Sequence, residues 1–194
     1  MKEKIIGRLD FPIEAKEDMG GDIFYIENTY PLEYSLLLRG EKNCYVIYEV
    51  QRSELHELYR SENSLVAEVF AAMLIDKKLG VKNYDFIKSI DDYIEKNDIS
   101  TIIDYFSTQS FSKYFSVGKN EYGKISLLIE NEKATIFFHD KEFVFCKNRP
   151  VKIALSILAS FSIRLEKVTE LYMRLAEEEK EVVDFDDYVE KYIR

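Results

Sequence analysis

The sequence predicts an α+β fold: antiparallel sheet with helices packed on one face, in two strands-then-helix halves with a long C-terminal helix. Three observations predict it. Two runs of strand-like segments, around 23–50 and 111–146, are each followed by a segment of helical periodicity, at 63–79 and 150–178. Turn residues separate the strands at hairpin spacing. The last segment carries apolar residues in a 3, 4, 3, 4, 3 rhythm: Leu158, Phe161, Leu165, Val168, Tyr172 and Leu175. The 194 residues are expected to form a single domain, 1–194, with halves near 1–80 and 107–194 and a helical connector at 81–106.

Residues 5–11 read as a short strand ended by Pro12, and 19–22 as a turn. Residues 32–39 and 44–50 form a hairpin across Gly40-Glu41-Lys42-Asn43. The charged stretch 51–60 reads as a loop or a short helical turn. Asn63 or Ser64 caps the next helix, and Gly80 stops it. In the connector, Ser89 and Asp98 are the expected caps of two shorter helices. Residues 111–117 read as a strand. Residues 125–130, 134–138 and 142–146 then form a meander. Asn148 caps, and Pro150 opens, a helix of about 30 residues. A final helix near 186–193 carries Tyr188, Val189, Tyr192 and Ile193 on one face.

Composition limits the function classes. The net charge of −9 and the pI of about 4.9 disfavour general nucleic-acid binding, which needs a basic face. Residues 177–194 hold three basic and eight acidic side chains, a concentrated negative end. No stretch is apolar enough to span a bilayer, and the first residues lack the apolar core of a signal peptide, so a cytoplasmic location without membrane is expected. Cys44 and Cys146 lack CxxC spacing and read as buried free thiols. With His56 and His139 they would have to converge from four separate places to hold zinc.

Motifs of catalysis are missing from the sequence. It contains no G-x-S-x-G, H-E-x-x-H, P-loop or G-x-G-x-x-G pattern. The pairs Asp91-Asp92 and Asp186-Asp187 sit about 100° apart on their helices, which suits helix starts better than an acid/base pair. No cofactor and no enzymatic activity are expected. The residues that stand out are of binding type. Arg39 and Arg52 flank the first hairpin, and Arg60 follows among Tyr45, Tyr48 and Tyr59. Arginine and tyrosine are enriched at interface hot spots. The candidate partner-binding residues are therefore Tyr48, Arg52, Tyr59 and Arg60, together with Asp184, Asp186 and Asp187 of the acidic end.

The layout carries one resemblance. Ile23-Phe24-Tyr25-Ile26, Leu36-Leu37-Leu38-Arg39-Gly40, Tyr48-Glu49-Val50-Gln51-Arg52 and Leu79-Gly80 set out a hairpin, an arginine-containing turn and a helix ending in glycine. Tyr122-Gly123-Lys124-Ile125-Ser126-Leu127 leads into a late helix from Ala154 to Tyr172. This order resembles bacterial immunity proteins that neutralise NAD glycohydrolase toxins of the necrotizing-toxin type. The resemblance implies a cytoplasmic, non-catalytic antitoxin, a monomer or weak homodimer, that binds a cognate protein toxin and blocks its NAD-binding cleft. The alternative expectation is an adaptor or regulatory subunit of a mobile-element or defence system, self-assembling through the long helix.

Overall fold

The computed structural model describes residues 1–17, 21–26, 34–51, 54–80, 84–138 and 143–193. The chain forms two compact units. The first comprises 1–82 and 171–192, and the second comprises 83–170. The architecture is α+β, as the alternation of strand and helix runs predicts.

In the first unit, helix α1 (Lys2–Ile6) precedes strands β1 (Glu14–Glu17), β2 (Ile23–Ile26), β3 (Tyr34–Glu41), β4 (Cys44–Gln51) and β5 (Glu54–Ser61). These five pair in chain order, all antiparallel. The β3–β4 hairpin turns at Lys42-Asn43, which sets Glu41 opposite Cys44 and Leu38 opposite Ile47. Helix α2 (Ser64–Leu79) covers one face of the sheet. Asn63 caps it, its side-chain oxygen accepting from the amides of Leu65 at 2.9 Å and Val66 at 3.4 Å. Every residue from Val66 to Asp76 is buried, so α2 is apolar nearly all round rather than amphipathic. Gly80 ends the helix because nothing larger fits: a Cβ there would lie 2.3 Å from the Asp76 carbonyl oxygen. Helices α6 (Glu177–Lys180) and α7 (Phe185–Ile193) complete the unit. On α7, Tyr188, Val189, Tyr192 and Ile193 are all buried, the face that their spacing predicts.

Phe70 of α2 is the centre of this packing. It stacks on Tyr59 at 3.9 Å and meets Tyr188 edge-on at 5.6 Å. Two hydrogen bonds tie α7 to α2: the Tyr192 hydroxyl donates to buried Asp76 at 2.8 Å, and Lys77, partly buried, donates to the Lys191 carbonyl at 2.8 Å.

In the second unit, α3 (Tyr84–Lys96) and α4 (Ile99–Ser107) lead through a 3-10 turn (Ser110–Tyr114) into β6 (Phe115–Val117). Strands β7 (Ile125–Glu130), β8 (Lys133–Phe138) and β9 (Phe143–Pro150) form the expected meander, and β6 adds to β7 in parallel. Helix α5 (Val151–Met173) follows. Phe106, Phe111 and Phe115 pack edge to face in the core. Asp98 caps α4, accepting from the Thr101 amide at 2.9 Å and from the Ser100 and Thr101 hydroxyls, which hold its carboxyl down at about 2.

Six local expectations are corrected. Residues 5–11 are not a strand, because Lys2–Ile6 is helical and buries Ile5. Residues 54–60 are neither loop nor helix: Glu54–Ser61 is an edge strand, whose charged side chains obscure its period, and residues 52–53 lie outside the described residues. Ser89 is not a cap, since α3 begins at Tyr84 and the Ser89 hydroxyl donates to the Phe86 carbonyl. Within 111–117 only the last three residues are strand. Asn148 lies in β9 with φ +53 rather than at a helix start, because that irregular strand runs on to Pro150. The long helix has 23 residues, about 35 Å, and stops at Met173, where the Arg174 and Leu175 amides bond three residues back instead of four. Half of its stripe is core: Leu158, Leu165 and Val168 are at most 2% exposed, whereas Phe161, Tyr172 and Leu175 are half-buried. No helix of the described residues is long and apolar enough to cross a membrane.

Candidate protein-binding surface

Strand alternation sends Tyr59 and Ile47 to the α2 side of the first sheet and Arg39, Glu41, Tyr48 and Arg60 to the other. On that other face a chain of polar contacts crosses three strands. Asp22 accepts from Arg39 at 2.6 Å and 3.0 Å. The Arg39 guanidinium lies 5.7 Å from the centre of the Tyr48 ring. The Tyr48 hydroxyl donates to Glu41 at 3.0 Å. Arg60 then bridges Glu41 and Glu57, at 2.8 Å to each. Cys44 lies below, its sulfur 3.0 Å from the same guanidinium.

The electrostatics follow from Arg60. Its hydrogen bonds hold the Glu41 and Glu57 carboxyls below the ordinary carboxylate range. Both are ionised at neutral pH and act there as acceptors. Burial, and then the Glu41 carboxylate, raise the Tyr48 hydroxyl above its ordinary value, so it stays a donor. Leu37 and Val46 share the face and are buried, whereas the Glu41, Glu57 and Arg60 side chains remain 35%, 45% and 44% exposed. Exposed ion pairs of this kind contribute little to stability. Their effect is to fix the directions in which one guanidinium and two carboxylates point outward.

The structure brings Tyr48 and Arg60 together on one face and sets Tyr59 near Asp187 on the other. Tyr59 is half-buried against Phe70, where burial and the Asp187 charge push its hydroxyl up to about 12. Asp184 caps α7, accepting from the Asp187 amide at 2.9 Å. Asp186 is exposed and Asp187 half-buried in the first turn of that helix, where negative charge is favoured. Arg52 and His139 lie outside the described residues. Glu41 and Glu57 escaped sequence reasoning. The i,i+3 pair Glu57/Arg60 and the hairpin register were the signals, legible only once 54–61 is a strand.

Both cysteines are free thiols, Cys146 buried as expected and Cys44 half-exposed. No group of three or more His, Cys, Asp or Glu side chains among the described residues is arranged to hold a metal ion.

A second charged cluster holds α6 in place. Arg8 and the buried Glu179 carboxylate form an ion pair, and the other Glu179 oxygen accepts from the Ala176 amide at 2.8 Å. Burial alone would raise this carboxyl, but the Arg8 and Ala176 hydrogen bonds outweigh it and hold it low. A carboxyl lower in the folded state than its unfolded value of about 4.3 stabilises the fold above that value. The contribution is lost as pH falls through the folded value. Urea midpoints between pH 7 and pH 3 are therefore expected to fall less steeply for Glu179→Gln than for the wild type. Parallel curves would remove Glu179 from the acid response.

Comparison of the chain with protein-family models, with curated proteins and with solved structures found no match.

Proposed function

We propose that this protein is a non-catalytic cytoplasmic immunity protein that binds a cognate bacterial toxin, of the NAD glycohydrolase type, and blocks its active site. The observation that supports the reading is the Asp22–Arg39–Tyr48–Glu41–Arg60–Glu57 network on the face of the first sheet opposite α2. It presents arginine and tyrosine, the residue types that dominate interfaces, already oriented by their neighbours. A surface prepared in this way loses less conformational entropy on binding than loose side chains do. The acidic α7 start, with Asp186 and Asp187, suits a cleft built to hold the negative charge of NAD. The buried part of the α5 stripe, Leu158, Leu165 and Val168, packs within the chain, which favours the inhibitor reading over an adaptor that would assemble through it.

The test is co-expression. A host NAD-hydrolysing toxin that arrests growth when expressed alone is expected to be tolerated when this chain is produced with it. Continued arrest at matched expression of every such toxin of the host would overturn the reading.

A further inference from the structure

The first unit contains a cavity of about 420 Å3 that the toxin-binding proposal does not use. Its volume lies within the range of small-molecule sites. The residues after α1, helix α2, the segment from Leu171 and helices α6 and α7 line it, and it opens to solvent beside Asp10 and Arg174. Val69, Met73, Leu171 and Leu175 give it an apolar wall. Its polar lining carries both signs of charge: Arg8 and Arg174 against Asp10, Asp76 and Glu179.

One donor of this lining is buried without an acceptor among the described residues, and a tyrosine lies on the same wall. The Nε of Arg8 is buried and makes no hydrogen bond, although the same guanidinium pairs with Glu179 through another nitrogen. Tyr188 lines the cavity as well, its ring held by Phe70 and Tyr172. Arg8, Asp76 and Glu179 are all close enough to act on the ionisation of its hydroxyl, so these groups converge on one place. Burial holds the hydroxyl protonated at neutral pH. A buried donor such as Arg8 Nε normally has a partner. On the wall of a cavity, it calls for an acceptor from outside the chain.

The charges narrow the ligand. Two guanidinium groups face three carboxylates, so a bare anion placed on Arg8 and Tyr188 would add to an existing negative excess. A ligand that carries its own ammonium group would not. We propose that the cavity is a binding site for a small apolar α-amino acid, its carboxylate on Arg8 Nε and the Tyr188 hydroxyl, its ammonium toward Asp76 and Asp10, and its side chain against the wall of α2. The proposal is independent of the toxin partner.

Isothermal titration of the full chain with L-leucine and L-phenylalanine tests it, alongside N-acetyl-L-leucine and L-leucine methyl ester. Saturable binding of a free amino acid is expected, with both blocked compounds at least about 10-fold weaker. Tyr188→Phe removes one donor and no packing volume, and should weaken binding by about 10-fold at unchanged melting temperature. Arg8→Lys removes the Nε donor and should also weaken binding by about 10-fold; if that variant fails to fold, Tyr188→Phe alone carries this arm. Equal binding of the blocked compounds overturns the zwitterion assignment. Absence of saturable binding to either amino acid at about 10 mM, a Kd weaker than any useful site, overturns the site.

Discussion

Replacing Phe70 with alanine should lower the unfolding free energy of the first unit by about 3–5 kcal/mol, the usual cost of emptying an aromatic site in a core. Phe70 is 1% exposed and touches both layers that flank α2: the sheet through Tyr59 and α7 through Tyr188. Urea unfolding followed by circular dichroism checks the value. A loss below about 1 kcal/mol would mean that the site relaxes freely, and that the Tyr59–Phe70–Tyr188 stack does not organise the unit. Phe70→Leu retains most of the buried apolar area and should recover more than half of the loss.

The second large effect concerns binding. Arg60→Glu sets a third carboxylate beside Glu41 and Glu57 and reverses the one cation that both of them hold. Affinity for the toxin partner should fall by about 100-fold, the loss typical of an arginine hot spot. Stability should hardly change, because the side chain is 44% exposed and exposed pairs contribute little. Lys147→Glu on the exposed end of β9 is the control, with affinity expected to stay within about twofold, as for residues away from an interface. Surface plasmon resonance on the purified pair reads both. Equal affinity of wild type and Arg60→Glu would remove the β3–β5 face from the interface.

Legibility in the sequence followed the strength of the physical signal. Apolar period and caps located α2, α4, α7 and the meander: Asn63, Asp98 and Gly80 do what their chemistry suggests. Strand β5 was missed because its side chains are charged on both faces, and only pairing with β4 makes it a strand. Asn148 looked like a helix cap because asparagine serves both there and at positive φ, and the irregular strand decided between the two. The candidate surface was half legible. Residue type picked out Tyr48 and Arg60. The same reasoning placed Tyr59 beside them, whereas strand alternation sends it to the opposite face, against Phe70 of α2. Glu41 and Glu57 depend on register, which composition does not carry. The Arg8–Glu179 pair and the cavity beside it join residues 171 positions apart, a proximity that only tertiary structure creates.

The central claim is inhibition by occlusion, and the direct measurement is a titration. A purified NAD-hydrolysing toxin of the host is assayed by loss of NAD while this chain is added in steps. Occlusion predicts that hydrolysis falls linearly and ends at one equivalent, and that Arg60→Glu shifts the curve to large excess. Full hydrolysis of NAD at a tenfold excess of the wild-type chain, by every toxin of this type in the host, would contradict the account.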